Sequence, residues 1–177
     1  MIPSLLGAAA PGFERPLDVL EACHGRIAKQ CDTLEKLIAH LPVHGADAQA
    51  RQAARAVLTY FDTAAVHHHD DEERNLFPLL EQAGAPGACD LVGALTLEHD
   101  EQALMWRDLR VALQQIEAGD SPRLDAALTR RFIAANRIHL EFENAHVLPL
   151  ARQVLGAAEI ERLGRAMAAR RGVKFKA

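Results

Sequence analysis

Along four long stretches of the chain, apolar residues recur at alternating steps of three and four, the repeat of a helix with one buried face. The first stretch covers about Arg15 to Leu41 and aligns Leu17, Leu20, His24, Ile27, Cys31, Leu34, Ile38 and Leu41. Pro42 to Asp47 is expected to break it. The second runs from about Ala48 to Ala83, with an inner stripe of Val57, Phe61, Ala64, His68, Glu72 and Leu79, and Gly84-Ala85-Pro86-Gly87 stops it. In the third, about Ala88 to Ala118, Val92, Leu95, His99, Gln102, Trp106, Leu109, Leu113 and Ile116 share a side. Gly119-Asp120-Ser121-Pro122 then offers Ser121 as N-cap and Pro122 as first helical residue of a fourth stretch, about Pro122 to Leu155. That stretch carries Leu128, Phe132, Ala135, His139, Glu143, His146 and Leu150 inward. Past Gly156, Ala157 to Arg171 is shorter and amphipathic, grouping Ile160, Leu163 and Met167. No segment alternates as a strand does. Four similar helices with short connections predict an all-α fold, an antiparallel up-down-up-down four-helix bundle with a short C-terminal fifth helix. The expected organisation is a leader over residues 1–14, the bundle over 15–155, and the terminal helix with a basic tail over 156–177.

Composition narrows the classes without choosing a function. At 177 residues, 49% hydrophobic and 25% charged, the chain is one domain's worth with enough apolar content for a single core. No stretch approaches the roughly 18–20 apolar residues of a membrane span, and a net charge of −4 gives no footprint for nucleic acid. Neither a membrane nor a nucleic acid is expected as partner. Met1 to Ala10 ends in three alanines but lacks a basic start, so it reads as an unprocessed leader. Cys23, Cys31 and Cys89 have no paired spacing, which predicts free thiols and a cytoplasmic setting.

The chemistry lies in the interruptions of the seams. Each of the four is interrupted by a histidine at a matching position: His24, His68, His99 and His139. His68 is followed by Glu72 four residues on and by Pro78 ten residues on, and His139 by Glu143 and Pro149 at the same steps. The chain is therefore a repeated hairpin. Of the run His67-His68-His69, His68 is selected because, at about 100° per residue, it shares the direction of Phe61, Ala64, Glu72 and Leu79. Residues four apart lie one turn apart on one face, so each His–Glu pair can direct an imidazole and a carboxylate at one point. Four His and two Glu are too many for one zinc, which takes four ligands, and suit a pair of iron or manganese ions in a bundle core. His40 and His44 flank Pro42 and are read as solvated. Asp70, Asp71 and Glu73 are read as a solvated face, and Arg165, Arg170, Arg171, Lys174 and Lys176 as a soluble tail.

The segment His68-His69-Asp70-Asp71-Glu72-Glu73-Arg74-Asn75-Leu76-Phe77-Pro78 resembles the hemerythrin-like, or HHE cation-binding, domain family, and the resemblance extends over nearly the whole chain. The repeated unit of that family appears first as Cys23-His24 with His68 to Pro78. It recurs as Glu98-His99-Asp100-Glu101 with His139 to Pro149, where Val147-Leu148-Pro149 stands in for Leu-Phe-Pro. The resemblance implies His24, His68, Glu72, His99, His139 and Glu143 as ligands of two iron ions, with manganese or zinc as less favoured occupants. Oxygen-carrying members have a further histidine where this chain has Ala103, and an aspartate where it has Asn144. His146, Glu21 and His69 are the candidates to complete the set. Glu143-x-x-His146 and Glu21-x-x-His24 also have the spacing of ferritin-like di-iron proteins, an alternative lacking two partner glutamates.

The resemblance implies a non-haem di-iron protein that binds or senses O2, another small diatomic or iron, without a committed substrate. The alternatives are a di-iron enzyme (ferroxidase, peroxide or nitric oxide reduction, iron donation for repair) and a structural bundle with incidental metal. Ala28 and Ala103, at the positions where the partner helices carry glutamate, are expected to leave a small-ligand pocket beside the cluster. Oligomeric state stays open.

Overall fold

In the computed structural model, residues 11–176 are described, and they contain helices and connections with no strand. Most of the expected leader, residues 1–10, lies outside the described residues. Helix α1 spans Pro16–His44. Helix α2 occupies residues 48–82 as three α-helical pieces joined by wide π-turns at Tyr60–Ala64 and Glu72–Leu76. Helix α3 is Ala88–Ala118. Helix α4 occupies residues 126–154 with a π-turn at Glu143–Val147, and α5 is Ala157–Arg170. Helix α1 packs on α2 and α4, and α3 on α2 and α4, closing an antiparallel four-helix bundle.

The ends of two helices differ from expectation for local reasons. Pro42 does not end α1: it falls in the last turn, and the helix continues to His44 before Gly45, at φ 66°, donates its N–H to Leu41 O. Ser121 and Pro122 do not open α4. Asp125 does, its carboxylate accepting from Ala127 N at 2.8 Å and Leu128 N at 3.0 Å, two bonds with a favourable charge at a helix N-terminus. Residues 121–125 are a linker.

The π-turns were not foreseen, and two of the three sit where the repeat sits. Glu72 O accepts from Phe77 N, and Glu143 O from Leu148 N, five residues on in each case. Pro78 and Pro149 follow immediately. Proline has no N–H to offer the carbonyl four residues back, and its ring crowds that carbonyl, so widening the preceding turn relieves the clash without ending the helix. The extra residue of each π-turn also rotates the helix face, including at Tyr60–Ala64, which no proline follows. Ala65 rather than Ala64 is buried on α2, and Val147 rather than His146 on α4.

The apolar core is cut in two. One cluster gathers Ile27, Cys31, Leu34, Phe61, Leu109, Leu113 and Phe132, and the other Leu20, Leu76, Phe77, Leu80, Leu95, Leu148, Leu163 and Met167. Full burial of each such side chain stabilises the fold by about 1.5–3 kcal/mol. Between the clusters lies a layer of buried polar side chains. Helix α5 closes the second cluster against α1 and α2, and no helix is long and apolar enough to cross a membrane among the described residues.

Two surface assignments are corrected here. Asp71 is completely buried rather than solvated. Its carboxylate pairs with Arg170 and with Arg171, whose Nη2 stands 2.6 Å from Asp71 Oδ2. These two arginines are accordingly structural rather than part of a soluble tail, and Arg170 Nη2 also donates to Asn75 Oδ1 at 2.7 Å. The sequence hides this because the partners lie about 100 residues apart in the chain.

Candidate metal centre

His24 on α1, His68 and Glu72 on α2, His99 on α3, and His139 and Glu143 on α4 are all buried and meet in the polar layer. The donor atoms fall into two overlapping groups, His24, His68, Glu72 and Glu143 on one side and His99, His139 and Glu143 on the other. Within the first, His68 Nε2 stands 3.3 Å from Glu72 Oε1 and His24 Nε2 3.7 Å from the same oxygen. In the second, His99 Nε2 and His139 Nε2 are 3.0 Å apart. The carboxylates reach both groups. Glu143 Oε2 lies 3.2 Å from His24 Nε2 and 3.3 Å from His139 Nε2, and Glu72 turns its other oxygen, Oε2, to within 3.7 Å of His99 Nε2.

These separations fit a shared ion. Two donors each about 2.1 Å from one metal stand about 3.0 Å apart at a right angle and about 3.4 Å apart at a tetrahedral one. The polar atoms aimed at the centre are also orphans. Among the described residues, His24 Nε2, His68 Nε2, Glu72 Oε2 and both oxygens of Glu143 are buried without a hydrogen-bond partner. Leaving such groups unpaired costs on the order of several kcal/mol, which bound cations would offset.

Without metal, the cluster holds protons instead. Burial opposes a charge on His24, but Glu143 and Glu72 outweigh it and lift the imidazole to about 10. His139 is likewise resisted by burial and lifted to about 9 by Glu143 and Glu98. Glu143 is held well below the usual carboxylate range because His139 and His24 overcome its burial, while burial and the neighbouring Glu143 charge push Glu72 up. Burial and the charge on His24 press His68 down, and burial and His139 bring His99 down to about 4.

The outer imidazole nitrogens are held by residues that sequence reasoning did not assign. His99 Nδ1 donates to Glu73 Oε1, and His139 Nδ1 to Glu98 Oε2, each at 2.7 Å. His24 Nδ1 donates to Asn144 Oδ1, also at 2.7 Å. Glu73 is therefore no mere solvated acid, and Asn144, read as a missing ligand, orients one. A glutamate flanking a seam histidine was the available signal for Glu98.

The three additional ligand candidates separate. His146 is exposed and packs on Phe142, because the π-turn carries it off the inner face. Glu21 is exposed and pairs with Arg152 at 2.7 Å. His69 remains close, stacked on the His99 ring with centroids 4.0 Å apart, and burial pushes it down to about 3. The expected pocket is two cavities rather than one. Ala28 borders a space of about 510 Å³ with His24, Arg137 and Asn144, between α1 and α4. Ala103, which is exposed, borders one of about 90 Å³ with Phe61, His69, Gln102 and Trp106, between α2 and α3.

The sequence pattern of the hemerythrin HHE cation-binding domain matches residues 15–151, the four-helix bundle from its first turn to beyond Pro149. The chain belongs to this family. An HHE cation-binding domain with a buried His/Glu cluster is a metal-binding protein. A relative that is 31% identical over 162 residues, covering 92% of this chain and 93% of its own length, is an uncharacterized protein of Haemophilus influenzae.

Proposed function

We propose that His24, His68, Glu72, His99, His139 and Glu143 hold a pair of iron ions, and that the pair binds or senses O2 or another small diatomic ligand. The observation carrying this reading is the position of Glu143, one oxygen of which faces histidines of both donor groups. A carboxylate so placed suits two ions better than one. Mixed imidazole and carboxylate donors with unfilled positions favour iron, with manganese or zinc as poorer fits. Iron there would supply a reversible change of oxidation state and open positions for a small ligand.

The protein's own residues do the rest. Glu73, Glu98 and Asn144 orient the imidazoles. The cavity beside Ala28 gives a small ligand a way in to the His24 side. That cavity is larger than a diatomic needs and has room for a bigger substrate, which favours a di-iron enzyme as a second reading.

The test is metal content per chain in protein from iron-replete cells, with the visible spectrum recorded through reduction and re-exposure to air. Near two irons with a band that recovers reversibly supports ligand binding. Two irons with an irreversible change support the enzymatic alternative, and one zinc or no metal overturns the di-iron reading.

A further inference from the structure

Each donor group has two imidazoles and a share of Glu143, with Glu72 nearer the His24/His68 side, and the imidazoles differ in what stands behind them. Behind His99 and His139 there are carboxylates, Glu73 and Glu98. Behind His24 there is a neutral amide, Asn144, and His68 Nδ1 is buried with no partner among the described residues. A carboxylate accepting from the outer N–H makes the inner nitrogen a stronger donor and fixes the ring, and losing such a partner typically weakens metal binding by about 10–100-fold. Two anions thus reinforce one position and none the other. The less supported side also faces open space, since the cavity of about 510 Å³ touches His24 and Asn144.

We infer that the centre is built unequal: Glu73 and Glu98 make the His99/His139 position the tight one, filled first, and Asn144 leaves the His24/His68 position weaker and exchangeable through the opening between α1 and α4. The inference rests on the two-metal reading above. Glu73, Glu98 and Asn144 are positioning residues on this account, acting only through the imidazoles they hold.

The experiment is anaerobic titration of the metal-free full chain with cobalt(II), followed by its visible absorption and by competition with a chelator of known affinity. Two binding steps separated by about 10-fold or more are expected. In Glu73→Gln and Glu98→Gln, which keep an acceptor and remove its charge, the tight step should weaken by about 10–100-fold while the loose step holds. Asn144→Asp should do the reverse and tighten the loose step, a gain that damage to folding cannot mimic. His68→Ala should retain the tight cobalt alone. Two equal steps in the parent protein, or an Asn144→Asp chain that matches it, would overturn the ordering. Failure of the parent chain to bind any cobalt would overturn the metal-centre reading beneath it as well.

Discussion

Asp71 Oδ2 and Arg171 Nη2 meet at 2.6 Å across 100 residues of chain, one residue before Glu72. The pair fastens the end of α5 to the part of α2 that carries His68 and Glu72. Removing one partner of a buried ion pair typically costs about 3–5 kcal/mol, because the other charge is left unpaired. Asp71→Ala is therefore expected to lower stability by about that much, measured by chemical denaturation of the metal-free protein. A loss under about 1 kcal/mol, the range of surface pairs, would mean that solvent satisfies the partly exposed arginines once Asp71 is gone.

The double change His68→Ala with His139→Ala removes one inner nitrogen from each donor group. It is expected to abolish metal retention, and with it the rise in melting temperature that metal confers by binding only the folded state. Glu21→Ala, His146→Ala and His40→Ala should retain full metal content, since all three side chains lie outside the cluster. Elemental analysis of the purified variants checks both halves. Stoichiometric iron in the double variant would sink the ligand assignment.

Metal binding should release protons and tighten as pH rises. In the metal-free protein His24 and His139 titrate near 10 and 9, so each carries a proton at neutral pH that a metal ion must displace. His99, lowered to about 4, and His68 have none to lose there. Affinity for cobalt(II) should accordingly climb from pH 6 towards 9, and an indicator dye in unbuffered solution at pH 7 should report the protons from His24, His139 and Glu72, the last pushed up to about 8 by burial and the Glu143 charge. Binding that is flat with pH would contradict the charge assignment.

Ala28→Phe tests the opening on the His24 side. A phenyl ring there would fill part of the space bordered by Gly25, Asn144 and Ala145. Azide association with the metal-loaded protein, followed by stopped-flow absorption, should slow severalfold with metal content unchanged. Ala103→Leu, on the separate cavity of about 90 Å³, should leave that rate alone. If Ala103→Leu slows azide and Ala28→Phe does not, ligands enter between α2 and α3.

The bundle and the six inner donors were legible because both follow from short-range spacing. A seam histidine such as His99 is read directly from the three-four step, and Glu72 from its place one turn beyond His68. Failures began where register changes. An inserted residue at Glu143–Val147 turns the face by about 100°, enough to replace His146 with Val147, and only the shared prolines hinted at it. Long-range partners were also invisible. Nothing in the run Asp70-Asp71-Glu72 marks the middle acid as the one that Arg170 and Arg171 bury. Asn144 misled for a different reason: a residue compared only with a ligand position was read as a loss, although it holds His24.

Glu72 and Glu143 each belong to one hairpin and face histidines of the other, as His99 and His24 respectively. Neither hairpin therefore owns a complete set of donors, and the linker 119–125 joins two half-sites. A metal pair bound there acts as a fastener between the halves. The consequence is a topological one: a chain cut within that linker leaves two fragments, each short of donors that the other holds, and their reunion would be governed by metal supply rather than by covalent continuity.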